Sequence, residues 1–248
     1  MVKGAVERAM PVGELKLVSF DVWDTLLSVK AFYGDVAVEL SKILGEQPTI
    51  LEKKLIDGYR RVRAVRRAGG FSDPEIVPSA LKLVAGFLNV KPENVERAIL
   101  NAAEKGRPEH YVLDGAFETL SHIKRLGLTV IVIGNVVFWP GKINRILLEK
   151  AGLARFIDEQ FYADEVGVSK PKPEIFVKAL SRFNVKPYEA VHVGDSLFED
   201  LAGAVLAQMK AVLIDRNVNN SFKFSSWDAY VIPDMRLLGQ IIQNWEKH

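Results

Sequence analysis

An apolar stretch that ends on an aspartate constrains the fold more than any other segment of the sequence. Residues 15–27 read LKLVSFDVWDTLL, so a run typical of a buried strand leads directly into Asp21. A carboxylate at the C-terminal end of a parallel strand lies in the crevice where open α/β sheets bind ligands. Held there away from water, Asp21 can serve as a metal ligand, a nucleophile or both. The segment therefore predicts an α/β fold with a site at this edge of the sheet.

Hydrophobic patterning divides the chain into two parts. From residue 31 to 109, apolar residues recur at helical spacing with little strand signal between them. From about residue 114 onward, short apolar strands alternate with helices, which is typical of a parallel sheet. We therefore predict a Rossmann-like α/β core, formed by residues 1–30 and 110–248, with an inserted all-helical cap domain at 31–109.

Composition narrows the classes of function. The 248 residues include 33 Lys+Arg and 31 Asp+Glu, a net charge of +2, so no whole-molecule field points to nucleic acid or a membrane. Cysteine is absent, which excludes disulfides, thiolate metal sites and a cysteine nucleophile. Charges within the first 15 residues argue against a signal peptide. We expect a cytoplasmic monomer or homodimer with neither a nucleic-acid partner nor a membrane partner.

Two later segments supply groups that a phosphoryl-accepting carboxylate needs. Asp195 follows an apolar strand and a glycine, and Ser196 with Glu199 is predicted to form a capping box for the next helix. Asp21 and Asp195 at neighbouring strand ends would offer the hard oxygen ligands that suit Mg²⁺. Lys170 opens the proline-rich corner KPKP, which is a rigid mount for an ammonium group aimed at an anion.

Four motifs in this order resemble those of the haloacid dehalogenase superfamily. They are DVWDT at 21–25, the strand end VIVIGN at 130–135, KPKPEIF at 170–176 and GDSLFED at 194–200. The resemblance covers nearly the whole α/β part and implies a hydrolase with a helical cap inserted just after the first core strand. It also implies Mg²⁺ as cofactor and a small anionic substrate, either a phosphate ester or a 2-haloacid.

The resemblance assigns roles to individual residues. Asp21 is the implied nucleophile, and Lys170 is selected over its neighbour Lys172 as the ammonium group beside it. The implied metal-site residues are Asp21, Asp195, Trp23 through its backbone carbonyl, and Asp200, a carboxylate that supports the metal or the lysine. Thr25 of the first motif is expected to contact the substrate.

The second motif departs from the family pattern. Asn135 is predicted as a catalytic and substrate-binding residue, since its side-chain amide can bind a substrate oxygen. Gly134 stands where the family commonly has Ser or Thr, so one hydroxyl donor is lost and only backbone N–H can serve. A plain turn remains the alternative interpretation of Gly134 and Asn135.

Trp23 is the larger departure, because many family phosphatases carry a second aspartate two residues after the nucleophile. That aspartate protonates the departing alkoxide and later activates water, and tryptophan can do neither. Loss of a positioned acid/base forfeits about 10²- to 10⁴-fold in rate. Asp24 is the nearest substitute, but a structural role is favoured for it because neighbouring residues leave a strand on opposite sides.

Three functional hypotheses follow from Trp23. The favoured one is a Mg²⁺-dependent phosphatase acting on a small phosphorylated metabolite through an aspartyl-phosphate on Asp21. The second is a 2-haloacid dehalogenase, because halide leaves without a proton. Family dehalogenases lack the metal-site aspartate that Asp195 supplies, which favours phosphoryl chemistry. The third is a catalytically weak relative whose cap binds a metabolite or a partner.

One helix of the insertion is strongly basic. It is predicted to open with a capping box formed by Thr49 and Glu52. Its charged face is typical of a solvated surface, but Arg66 continues the apolar stripe of Leu55 and Val62. We therefore predict that Arg66 meets the anionic part of the substrate. The arginines of this helix are Arg60, Arg61, Arg63, Arg66 and Arg67.

Overall fold

The computed structural model describes residues 15–246 of the chain. The prediction that the chain lacks a signal peptide concerns the first residues, which lie outside this range. Within residues 15–246, none of the helices combines the length and the apolar character that a bilayer span requires.

A seven-stranded sheet forms the core. Its strands are β1 (Leu17–Phe20), β2 (Thr129–Gly134), β3 (Glu159–Tyr162), β4 (Ala190–Gly194), β5 (Lys210–Ile214), β6 (Phe222–Phe224) and β7 (Ala229–Ile232). Their order is β3-β2-β1-β4-β5-β7-β6, and every pairing is parallel except that of β6 with β7. The predicted α/β class is confirmed. Strand β6 was not predicted, because its three residues are all exposed and it lacks the apolar signal of a buried strand.

Strand register brings the site residues to one edge of the sheet. Phe20 at the end of β1 lies beside Val132 of β2 on one side and Val193 of β4 on the other. Because the three strands are parallel, the residues that follow them leave the sheet at the same edge. Asp21 and Asp195 are therefore neighbours although 174 positions separate them in the chain.

Four helices between residues 29 and 105 follow β1. They are α1 (Val29–Leu44), α2 (Pro48–Arg67), α3 (Ile76–Leu88) and α4 (Pro92–Lys105). Helix α1 packs on α2 and α4, and α3 packs on the same two helices. The predicted capping box is wrong: α2 begins at Pro48, whose fixed φ suits a first helical position, and its N-cap Gln47 makes no side-chain cap hydrogen bond. The boundary of a cap domain at residues 31–109 stays a prediction.

The remaining helices follow β2 or directly precede it. They are α5 (Ala116–Arg125), α6 (Gly141–Lys150), α7 (Ala163–Val166), α8 (Pro173–Ser181), α9 (Gly203–Leu206) and α10 (Leu238–Glu246). A π-helical segment, Leu197–Ala202, leads from the end of β4 into α9. Such segments are rare and frequently occur at functional sites. This one carries Glu199 and Asp200, which both enter the site described below.

Candidate active site

Asp21 emerges from β1 with its backbone held in the sheet and its side chain held by a lysine. Its N–H donates to the carbonyl of Val193 at 2.9 Å. The Nζ atom of Lys170 lies 2.7 Å from Asp21 Oδ1. Burial raises the pKa of Asp21 to about 6, although Lys170 acts in the opposite direction. At neutral pH most Asp21 carboxylates are therefore ionised, as a nucleophile requires.

Lys170 is buried, and all three hydrogens of its ammonium group donate hydrogen bonds to protein oxygens. Nζ donates to Asp21 Oδ1 at 2.7 Å, to Asp200 Oδ1 at 2.6 Å and to the carbonyl of Ile133 at 2.7 Å. Burial alone would lower the pKa of Lys170, but Asp200 and Asp21 raise it above its usual value. The structure thus places a permanently charged ammonium group beside Asp21, whereas Lys172 pairs with Asp73.

Asn135 grips the backbone of Lys170 with its side-chain amide. Its Oδ1 accepts from the Lys170 N–H at 2.8 Å, and its Nδ2 donates to the Lys170 carbonyl at 3.0 Å. The second amide hydrogen reaches Glu199 Oε2 at 3.2 Å. Both donors of Asn135 are therefore occupied by protein. That this side chain binds a substrate oxygen stays a prediction, and the contacts seen here position the lysine.

Asp200 supports Lys170 from the π-helical segment. Its Oδ1 accepts from Lys170 Nζ and lies 3.1 Å from His192 Nε2, while its Oδ2 accepts from the Ser196 N–H at 2.9 Å. Burial would raise the pKa of Asp200, but Lys170 and His192 hold it below its usual range. Because both oxygens already accept hydrogen bonds, the contacts favour the support role over direct metal ligation.

His192 is a site residue that the sequence analysis missed. It lies on β4, and burial together with the charge of Lys170 lowers its pKa to about 4, so its ring is neutral at pH 7. A carboxylate only accepts, so Nε2 carries the proton and donates to Asp200. Nδ1 then accepts from the Ser19 hydroxyl at 2.8 Å. Its only sequence signal was a polar residue within an apolar strand.

Asp195 completes a cluster of three carboxylates. Asp21, Asp195 and Asp200 each offer an oxygen within 4.8 Å of the other two. No Lys, Arg or His within residues 15–246 forms an ion pair with Asp195, and burial, followed by the charges of Asp21 and Asp200, raises its pKa to about 8. A partly buried acid without a cationic partner among residues 15–246 fits a hard divalent cation such as Mg²⁺. The carbonyl of Trp23 as a further ligand stays a prediction.

Stabilisation of the protein by Mg²⁺ is expected to grow with pH. The raised pKa values of Asp21 and Asp195 mean that the folded metal-free protein retains protons that the unfolded chain has released. Stability from these groups is therefore present at low pH and is lost as pH rises through about 6 and about 8. A bound Mg²⁺ would hold the ionised carboxylates and offset this loss.

Melting temperatures with Mg²⁺ and with a chelator, measured from about pH 5 to about pH 9, check this expectation. Asp195→Asn serves as the matched variant, since it removes the group with the more strongly raised pKa. An increment from Mg²⁺ that is constant with pH, or equal in the variant, would contradict it.

Two glycines leave room for site side chains. A Cβ atom at Gly194 would lie 2.2 Å from Asp200 Cγ, and one at Gly134 would lie 2.9 Å from Tyr162 Cε1. The Tyr162 ring therefore accounts for the missing hydroxyl at Gly134, because a Ser or Thr side chain would collide with it. Gly134 ends β2 as predicted, but it has a packing reason that the sequence does not show.

Gly194→Ala is expected to push Asp200 away from Lys170 and to destabilise the fold by about 1–3 kcal/mol. The buried carboxylate cannot accommodate a methyl group at 2.2 Å without leaving its partners. Gly34→Ala is the control, because no atom lies within 4 Å of the added Cβ there. Denaturant unfolding measures both variants, and equal midpoints would contradict the expectation.

Glu199 connects helix α2 to the edge of the sheet that carries the site. Its Oε1 lies 2.6 Å from Arg66 Nη2, 3.4 Å from Arg63 Nη2 and 3.5 Å from Arg67 Nε. Arg66 also donates to the carbonyl of Val136 at 3.0 Å. The guanidinium of Arg66 is thus held by protein groups, and its predicted contact with the substrate anion stays a prediction.

The predicted capping box at Ser196 forms only in half. The Ser196 Oγ accepts from the Glu199 N–H at 3.1 Å, as expected. The Glu199 carboxylate does not return to the Ser196 backbone, because it pairs with Arg66 of α2. Glu199, which the sequence predicts as part of a local helix cap, therefore makes a tertiary contact instead.

The rest of the first motif is buried. The Trp23 ring packs at 5.4 Å against the rings of Phe32 and Trp139, and its Nε1 finds no hydrogen-bond acceptor in residues 15–246. Asp24 has the left-handed φ of 56°, and its Oδ1 accepts from the Val29 N–H at 3.2 Å, which agrees with the favoured structural role. Thr25 is also buried, and its predicted contact with substrate stays a prediction.

Comparisons with known proteins find phosphatases among the relatives of this chain. The phosphatase relatives include glyceraldehyde 3-phosphate phosphatase of Methanopyrus kandleri, which is 29% identical over 82% of this chain and 84% of its own length. Phosphoserine phosphatase of Thermus thermophilus is 33% identical over 57% of this chain, which spans about half of that protein (53%).

Solved structures share the fold over nearly the whole chain. The magnesium-bound HAD-hydrolase YfnB of Bacillus subtilis superposes with a TM-score of 0.74, over 93% of this chain and 99% of that one, at 18% identity. A HAD phosphatase from Thermococcus onnurineus gives a TM-score of 0.62 over 92% and 98%, at 27% identity. The sequence model of the haloacid dehalogenase-like hydrolase family matches residues 15–208 of this chain, from the strand before Asp21 to beyond Asp200. The chain therefore belongs to the haloacid dehalogenase-like hydrolases.

Proposed function

We propose that this hydrolase is a Mg²⁺-dependent phosphatase that cleaves a small phosphate ester through an aspartyl-phosphate on Asp21. The observation that carries the proposal is the close grouping of Asp21, Lys170 and Asp195, since the Asp195 carboxylate has no cationic partner among the described residues 15–246. Relatives named for glyceraldehyde 3-phosphate and phosphoserine support a small phosphorylated metabolite as the substrate class.

The contacts of Asp21 suit nucleophilic attack. Lys170 holds Oδ1, which leaves Oδ2 of Asp21 to attack the phosphorus in line with the departing oxygen. Lys170 also offsets part of the negative charge that gathers as the phosphate approaches. A bound Mg²⁺, held by Asp21 and Asp195, would supply the further positive charge that draws a phosphate to this acidic cluster. Water then cleaves the aspartyl-phosphate and restores Asp21.

Helices α1 to α4 are proposed to act as a cap over this edge of the sheet. The buried pair of Arg66 and Glu199, with side chains 8% and 9% exposed, supports a closed arrangement. The aromatic rings around Trp23 would exclude water from the leaving-group side. Substrate choice would then depend on residues of α1 and α2.

Phosphate release tests the proposed function. Purified protein is supplied with an aryl phosphate, an acyl phosphate, glyceraldehyde 3-phosphate or phosphoserine, each with Mg²⁺ or with a chelator. Release of inorganic phosphate that needs Mg²⁺ is expected for at least one of them. The absence of release from all four substrates would contradict the proposal.

A 2-haloacid dehalogenase remains the second candidate, because one observation favours it. Trp23 provides no proton, and a departing halide needs none. Asp195 speaks against it, since carboxylate attack on an alkyl halide gains nothing from a metal site. Halide release from 2-chloropropionate in the presence of a chelator would decide for this candidate.

A further inference from the structure

The fate of the departing oxygen is the open step of the proposed reaction. In-line attack by Asp21 places this oxygen on the far side of the phosphorus, toward the helices that cover the strand ends. Trp23 occupies the position of the usual acid, and its ring is packed against Phe32 and Trp139. The negative charge that develops on the oxygen therefore has to be offset by another group.

Helix α2 offers five arginines, and four of them are engaged elsewhere. These are Arg60 with Asp57 at 3.2 Å, Arg61 over the Phe87 ring at 4.4 Å, Arg66 with Glu199 at 2.6 Å, and Arg67 over the Phe198 ring at 5.8 Å. Arg63 is the fifth. It follows Tyr59 by four positions and therefore lies on the same face of the helix.

Arg63 lies over the Tyr59 ring at 5.4 Å, and its hydrogen bonds to residues 15–246 are long and leave donors free. Its Nη1 lies 3.3 Å from the Tyr59 hydroxyl and its Nη2 lies 3.4 Å from Glu199 Oε1. Three of its five N–H donors remain for a ligand. Burial alone would lower the pKa of Arg63, but Tyr59, Glu199, Asp195 and Asp21 raise it above its usual value. The guanidinium is thus a permanent charge within electrostatic reach of the two site carboxylates.

We propose that Arg63 donates a hydrogen bond to the departing ester oxygen and offsets its charge in place of the missing acid. The inference rests on the proposed phosphatase function. As the bond from Asp21 Oδ2 to phosphorus forms, the ester P–O bond breaks and its electron pair stays on the oxygen. Arg63 keeps its proton, and a water protonates the alkoxide. The hydroxide equivalent left behind is consumed when the aspartyl-phosphate is cleaved, so one water is used for each turnover.

The test is the leaving-group dependence of Arg63→Met. For alkyl phosphates such as glycerol 3-phosphate, kcat/KM is expected to fall about 10²- to 10³-fold, the usual effect of removing one oxyanion donor. For dinitrophenyl phosphate, whose departing oxygen carries little basicity, the expected fall is less than about tenfold. Arg63→Lys keeps the charge and is expected to recover part of the loss with alkyl esters.

Matched measurements separate this role from a structural one. Arg60→Met on the same helix removes an exposed arginine and is expected to change none of these values. The melting temperature of Arg63→Met should fall by only a few degrees, and its calorimetric Mg²⁺ affinity should be no weaker than that of the wild type, since a nearby positive charge has been removed. An equal loss across all esters, or no loss, would overturn the inference. A wild-type protein that cleaves no ester would instead contradict the proposed function.

Discussion

Asp21→Asn is expected to abolish turnover and to leave the metal-free protein at least as stable as the wild type. An amide cannot attack phosphorus, so kcat should fall at least about 10⁴-fold. The amide oxygen can still accept from Lys170. Because burial raises the pKa of Asp21 from 3.8 to about 6, stability from this group is lost as pH rises through that range, and the neutral amide avoids the loss.

Steady-state kinetics measure the loss of turnover, and melting curves in a chelator measure the stability of the metal-free protein. The stability gain should be largest near about pH 8, smaller near about pH 5, and absent only below about pH 4, where Asp21 is protonated in both the folded and the unfolded chain. Asp57→Asn, on the exposed face of α2, is the control and should change neither property. Residual turnover comparable to the wild type, or a variant less stable at the higher pH, would contradict the assignment of Asp21.

Lys170→Met is expected to cost about 3–5 kcal/mol of stability, because it leaves Asp21 and Asp200 as buried charges without their cation. In a chain of this size the melting temperature should fall by roughly 6–20 °C. The raised pKa of Lys170 keeps its contribution intact below the pKa of an unfolded lysine. The deficit of the variant should therefore grow from acidic to neutral pH, as the two carboxylates ionise.

Urea unfolding at two pH values checks this expectation. Lys172→Met is the matched control, since it removes a lysine from the same proline-rich corner whose ion pair with Asp73 is exposed on the lysine side. Its effect should stay within about 1 kcal/mol. Equal losses in the two variants would show that Lys170 does not compensate the buried carboxylates.

Local hydrophobic patterns in the sequence predict most of the fold. Strands β1 and β4 are buried along their whole length, so their apolar runs are legible in the sequence, and both lead into an aspartate. The strand pattern and the family resemblance together predict that Asp21, Asp195 and Lys170 lie at one edge of the sheet. Strand β6 could not be predicted, because it is defined only by its pairing with β7.

The parts of the site that were missed depend on contacts between distant segments. Glu199 and Arg66 are 133 positions apart, and nothing local to either residue announces the other. The link from Ser19 through His192 to Asp200 is likewise visible only once β1 and β4 are paired. Arg63 had a usable signal, since it follows Tyr59 by four positions and precedes Arg66 by three, which places the three residues on one face of α2.

The two oxygens of Glu199 contact different parts of the molecule, and this has a consequence for timing. Oε1 receives Arg66 from α2, while Oε2 receives Asn135, whose amide grips Lys170. An outward movement of α2 would take Arg66 away from Glu199, and the Glu199 carboxylate would then be less firmly held against Asn135. Because Asn135 positions Lys170, we expect phosphate esters to be cleaved more slowly while the site is open to solvent.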